Sequence, residues 1–327
     1  MRKYLIVTAI VVALVVAGVL AVVFTAGAST PPVSASSAPL TSADAVLKAA
    51  ASATENVTSG AGHFRIEITP KADAGATGML ATIANKPIVL TGTVAADAKA
   101  KAAEATVTIT AANGGISTQA AVRWLGDKGW LEYGGVWYDL PPQILQKAHQ
   151  AQAQHEQQSV PNITPADLGI DPHTWLPGLS LVGTETVDGV SAYHVTTGFD
   201  VSRIAADAIK IVESPQVQKM LAAHMPAKHM AQMQRGLASG KLADVPAMAA
   251  KAVVDPRADV WVDTSSNLLK QVGLSVTLVP PADATCPVTS VTATFTGTVD
   301  QLGQPVSVTA PTDVHPWSEL QSTLQGQ

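Results

Sequence analysis

Ala121-Val-Arg-Trp-Leu-Gly-Asp-Lys-Gly-Trp-Leu-Glu-Tyr-Gly-Gly-Val-Trp-Tyr-Asp-Leu-Pro141 decides how the rest of the chain is read. It carries three of the six tryptophans and two of the four tyrosines. Runs rich in β-branched and aromatic residues flank Gly126-Asp127-Lys128-Gly129, and a second turn falls at Gly134-Gly135. Glycine sits where a tight turn needs positive φ, so the stretch reads as a meander of short antiparallel strands. Aromatics make up only 4% of the chain, so this density suggests a wall or an anchor, and Trp124, Trp130 and Trp137 are candidates to line a ligand site.

The same alternation extends in both directions. His63 to Thr69 places Phe64, Ile66 and Ile68 on one face, and Ile88 to Ala95 and Ala105 to Ala111 repeat the pattern with Val and Thr. Downstream, Leu179 to Val187 and Val190 to Thr197 flank Asp188-Gly189, a strong hairpin signal. Ala258 to Asp263, Leu268 to Leu278, Val288 to Val299 and Val306 to Thr309 read as further strands. Helices are expected at 41–57, with Asp44 in the first turn, at 143–158, which is rich in Gln and Ala, and at 201–252, broken near Pro215, Pro226 and Pro246. Strands in series with helical insertions predict an α+β domain: a large curved antiparallel sheet with helices on one face.

Composition bounds the function. Charged residues are 14% of the chain, hydrophobic residues 47%, and the formal net charge is −5. Nucleic acid is excluded as a partner, because phosphate binding needs a clustered basic surface. Arg2 and Lys3 precede an almost wholly apolar run from Leu5 to Phe24, long enough to cross a bilayer, with the remainder exported. Ala26-Gly27-Ala28 also fits a cleavage site, so residues 1–26 read as a membrane anchor or a signal peptide. Residues 27–40 form a Ser/Ala/Pro linker, 41–318 the folded domain and 319–327 a tail. The one cysteine, Cys286, allows no internal disulfide.

The order of these elements resembles a known group. Gly134-Gly-Val-Trp-Tyr-Asp-Leu-Pro141, Gly183-Thr-Glu-Thr-Val-Asp-Gly-Val-Ser-Ala-Tyr-His-Val195 and Val260-Trp-Val-Asp-x6-Lys-Gln-Val272 look like motifs of the actinobacterial envelope lipoproteins of the LppX/LprG type, within the LolA/LolB-like superfamily. The resemblance implies a half-open barrel whose concave face is plugged by helices, with a cavity that holds acyl chains. It also implies a lipid or glycolipid as partner and lipid transport as a role. The chain departs from the lipoprotein pattern in having no cysteine after its apolar run, which leaves a peptide anchor in place of a lipid anchor.

Within the helical stretch 201–252, Ile204, Ile209, Met220, Leu221, Met225, Met230 and Met233 are candidates to line such a cavity, since unbranched thioethers adapt to irregular shapes. Met225, His229 and Met233 at four-residue spacing allow a second reading, a soft-metal site for Cu(I). Ordinary core packing is the third. No His-Glu-x-x-His, paired-Cys, Gly-x-Ser-x-Gly, P-loop or dinucleotide pattern occurs. No catalytic residue, cofactor or resident metal is therefore expected, and the chain reads as a binding protein rather than an enzyme. Asn56-Val-Thr58 and Asn162-Ile-Thr164 match the glycosylation pattern. A structural or regulatory ectodomain with a filled core, docking a protein partner, is the rival reading.

Overall fold

The computed structural model describes residues 39–111, 115–146, 166–225, 227–280 and 287–325. The expected anchor or signal, the linker up to residue 38, most of the helix at 143–158, Asn162 and Cys286 lie outside these residues.

Two antiparallel meanders are sewn into one twelve-stranded sheet. The first comprises β1 (Ser59–Ala72), β2 (Ile88–Asp97), β3 (Ala102–Ala111), β4 (Ile116–Leu125), β5 (Lys128–Tyr133) and β6 (Val136–Asp139). The second comprises β7 (Ser180–Val187), β8 (Val190–Gly198), β9 (Val253–Asp263), β10 (Leu269–Leu278) and β11 (Val288–Leu302). The seam is β1 against β11, from Gly60↔Leu302 to Ala72↔Val288. A short β12 (Val314–His315) returns to pair with β6 in parallel, the one parallel pairing in the sheet. The order β12-β6-β5-β4-β3-β2-β1-β11-β10-β9-β8-β7 does not close on itself. The result is a curved, half-open α+β barrel.

The turns form where the sequence requires them. Asp188 and Gly189 both have positive φ, as a two-residue hairpin between right-twisted strands demands. Gly134 and Gly135 do the same between β5 and β6. The expected strand at Val306 to Thr309 is absent: these residues are coil, and the terminal pairing is made instead by Val314 and His315. Alternation over four residues is too short to specify a partner, and Val308 is buried without joining a ladder.

Register separates the sheet into two chemically distinct faces. Val260, Val272, Gly297, Phe64, Gly92, Val107 and Ala120 are successive cross-strand partners, so one face is apolar from β9 to β4. The neighbouring row Gln271, Thr298, His63, Thr93 and Thr106 lies on the other face, which is rich in threonine. Gly92 gives the Phe64 ring its place: a Cβ there would lie 2.6 Å from Phe64 Cζ and 2.2 Å from the Thr106 carbonyl oxygen.

Helix α1 (Ala43–Thr54) covers one end of the apolar face. Ser42 caps it by accepting from the Ala45 amide at 3.2 Å. Its Ala43, Val46 and Ala50 pack on Val195 and Val262 to form the tightest part of the core. The Tyr193 hydroxyl accepts from the Leu40 amide at 3.0 Å and fixes the chain entering that helix. A short α2 (Gly78–Ile83) follows β1.

The helical stretch between β8 and β9 resolves into α3 (Val201–Glu213), α4 (Pro215–His224), α5 (Ala227–Ala238) and α6 (Val245–Ala252). Its breaks fall beside Pro215 and at Met225, and Pro246 lies in the first turn of α6, where a proline is tolerated. The chain ends in α7 (Trp317–Gln325), against β6. Leu320 of this helix is fully buried, so residues beyond 318 are part of the packed structure. Among the described residues, no helix is long and apolar enough to cross a membrane.

Candidate functional site

Helix α3 is built to stand over the sheet without filling the space beneath it. Asp200 caps it, accepting from the Arg203 amide at 2.9 Å. The preceding Phe199 amide donates to the Pro256 carbonyl at 3.2 Å and ties the helix start to β9. The one fully buried side chain of α3 is an acid, Asp207. It accepts from Trp175 Nε1 at 2.8 Å, Lys210 Nζ at 2.8 Å and Arg203 Nε at 3.3 Å. Hydrogen bonds from Lys210 and Trp175 hold its carboxyl below the usual range. This clamp fixes the roll of the helix and locks the 3-10 turn Pro172–Trp175 against it. Val201, Ile204, Ala208 and Ile211 form an apolar stripe on the helix at three- and four-residue spacing, yet none of them is buried.

Beneath the first turn of that stripe lies an open groove of about 390 Å3. Phe199, Val201 and Ile204 line it on the helix side, and Leu274, Val276 and Phe295 line it on the sheet side, with Pro256 at one end. Leu274 pairs with Phe295 and Val276 with Ala293, all on the apolar face. Arg257 is the only charged residue lining it. Its guanidinium is engaged by Asp259, through Nε at 3.0 Å and Nη2 at 3.0 Å. The arrangement can bury an elongated apolar group.

A second cleft, of about 320 Å3, lies at the opposite end of the sheet between Arg123, Trp137, His315 and the segment Thr309 to Asp313. Arg123 stacks over the Trp137 ring at 4.6 Å, pairs with Glu104 at 2.6 Å and donates to the Thr309 carbonyl at 3.3 Å. The residues that could bind a ligand there are already engaged with one another.

The polar face carries a buried imidazole. His194 of β8 has Nδ1 at 2.9 Å from Glu185 of β7 and Nε2 at 2.9 Å from Asp259 of β9, and its ring stacks on Trp261 at 4.5 Å. Trp261 donates to Glu185 at 2.9 Å. Bonds from Trp261 and His194 lower the Glu185 pKa. For Asp259, burial raises it, but bonds from Arg257, His194 and Thr196 outweigh burial and leave it lowered. The cluster staples the last three strands of the sheet. Among the described residues, no group of three or more His, Cys, Asp or Glu side chains could hold a metal ion.

The residues nominated from the sequence are dispersed. Ile204 lines the groove, and Ile209 is half-buried elsewhere on α3. Met220 and Leu221 on α4 and Met233 on α5 are half-buried, and Met230 is buried. Met225 is in extended backbone at the end of α4, so it does not share a helix face with His229 and Met233, and the four-residue spacing behind the copper reading is broken. Register puts Trp124 on the apolar face and Trp130 and Trp137 on the other, so the three form no common wall. Trp130 is buried, and Trp124 donates to the Gly126 carbonyl at 2.9 Å. Sequence reading missed Phe199, Leu274, Val276 and Phe295. Alternation marks such strand residues as inward-facing but does not show whether a partner covers them.

No protein-family model matches the chain, and no curated protein matches it. Among solved structures, it is similar to the Mycobacterium tuberculosis lipoprotein LppX, at 15% identity and TM-score 0.33, over 82% of this chain and 98% of that one. It is similar to LprF from Mycobacterium bovis, at 11% identity and TM-score 0.35, over 82% and 96%. It is also similar to a DUF1329 family protein from Desulfovibrio piger, at 9% identity and TM-score 0.21, over 82% and 95%. The group to which the sequence motifs pointed is thus among these likenesses.

Proposed function

We propose that this chain is an exported, non-catalytic cell-envelope protein that shelters the acyl part of a lipid or glycolipid between its sheet and α3, and that it moves such lipids between compartments of the envelope. The observation that carries the reading is the unfilled space beneath α3. A strongly amphipathic helix is rolled into place by a buried aspartate, yet Val201 and Ile204 at the start of its apolar stripe face a groove rather than a packed core. The volume lies within the range of about 300–1,000 Å3 typical of small-ligand sites. Each methylene buried there contributes about 0.8 kcal/mol, so ten supply about 8 kcal/mol before the cost of association. A charged contact is not needed. The apolar run from Leu5 to Phe24 supports an extracytoplasmic location, as a tethered domain or as a secreted one after cleavage.

The test is ligand recovery. The intact protein, examined by native mass spectrometry and by displacement of a fluorescent fatty acid, retains or takes up acyl chains on this reading. A ligand-free mass together with no displacement refutes it and leaves the structural or regulatory ectodomain as the better account.

A further inference from the structure

We infer that the junction of α6, β9 and β10 is a membrane-docking surface that delivers the groove to a lipid bilayer. The identification of a bilayer as the occupant rests on the acyl-binding reading. Of the eight large apolar side chains exposed among the described residues, five are Met248, Val254, Leu274, Leu278 and Val279. They converge because of the topology. Helix α6 runs directly into β9 at Ala252–Val253, the Ala252 carbonyl accepts from the Val279 amide at 2.7 Å, and Leu278 faces Val253. Met248 lies one helical turn before Ala252. Leu274 lies on the same face of β10 as Leu278, and it lines the groove. On that face Leu274, Val276 and Leu278 form one apolar row from the groove to the tip of the junction, whereas Val254, paired with Thr277, lies on the other face at the same tip.

Two observations select a bilayer over a soluble partner. First, the patch is continuous with an open apolar groove whose cargo resides in membranes. Second, the sequence places fourteen linker residues (27–40) between the domain and the apolar run that ends at Phe24. At about 3.5 Å per residue such a tether reaches about 50 Å, which keeps the patch within range of the same membrane. Exposed aliphatic side chains settle at the headgroup–acyl boundary.

The experiment uses the full-length chain with Cys286→Ser. A single spin-labelled cysteine is placed at Met248, at Leu278 or, as reference, at Thr93 on the polar face. The proteins are reconstituted in mixed phosphatidylcholine–phosphatidylglycerol vesicles, and relaxation by oxygen is compared with relaxation by a water-soluble nickel chelate. Labels at 248 and 278 are expected to be dominated by oxygen and the label at 93 by nickel. If labels at 248 and 278 behave like the one at 93, the proposal is overturned. It is equally overturned if they are shielded from both reagents and the particle mass doubles, since a second copy then covers the patch. Fatty-acid displacement in the same samples separates the two readings. Binding without immersion removes the docking surface alone, and immersion without binding removes the acyl-chain reading alone.

Discussion

Replacing Ala293 with tryptophan places an indole in the groove from the floor. Ala293 sits on the apolar face of β11, opposite Ile68 on one side and Val276 on the other, and lines the space beneath α3. An indole there displaces roughly five methylenes of a bound acyl chain. At about 0.8 kcal/mol each the loss is about 4 kcal/mol, or roughly a thousandfold in affinity. The matched control is Thr296→Trp, on the same strand but the opposite, solvent-facing side. Titration of both variants with a fluorescent fatty acid, with thermal unfolding to confirm that each is folded, provides the comparison. The Ala293 variant is expected to lose binding and the Thr296 variant to keep it. Overpacking costs the former about 1–3 kcal/mol of stability, which the melting curve reports separately. Binding by a folded Ala293→Trp protein within twofold of the parent refutes the assignment of the groove as the site.

Three further outcomes follow from the packing. Gly92→Ala drives a Cβ into the Thr106 carbonyl and the Phe64 ring, and is expected to cost about 3 kcal/mol and roughly 6–12 °C of melting temperature; Gly75→Ala, with nothing within 4 Å, leaves the melting temperature essentially unchanged. His194→Ala strips Glu185 and Asp259 of their shared partner, and is expected to cost about 2–3 kcal/mol; amide exchange should accelerate first in β7, the outermost strand. Asp207, held below its unfolded value by Lys210 and Trp175, contributes stability that is present above about pH 3.9 and is lost as acidity rises through its folded value. Asp207→Asn flattens that acid limb in a pH series of urea midpoints, whereas Asp207→Ala also orphans Trp175 Nε1, at about 1–3 kcal/mol.

The strands were legible because their information is local. Asp188-Gly189 needs only its own backbone preference to turn the chain, and Phe64, Ile66 and Ile68 announce a face by period alone. The seam of β1 with β11 was not legible, because register between segments more than 200 residues apart depends on side-chain fit that no local window contains. The site was read less well than the fold. Ile204 was found because α3 is amphipathic; its counterparts Leu274, Val276 and Phe295 were not, because a strand residue that lines a groove and one that lines a core carry the same alternation. The aromatic meander drew attention by composition, yet Trp130 and Trp137 point away from the apolar face and serve the other side of the sheet. Likewise, the methionines at 220–233 signalled pliancy but fall on the outer helices α4 and α5.

The β1–β11 seam also sets a timetable for folding. Residues 59–72 have no second neighbour until residues 288–302 have emerged, so nine-tenths of the polypeptide must be made before the sheet can be finished. Such distant pairing is slow to form, and the half-built sheet keeps an unsatisfied border at β1 in the meantime. The late arrival of the last eighth of the chain therefore leaves β1 open to other partners through most of synthesis.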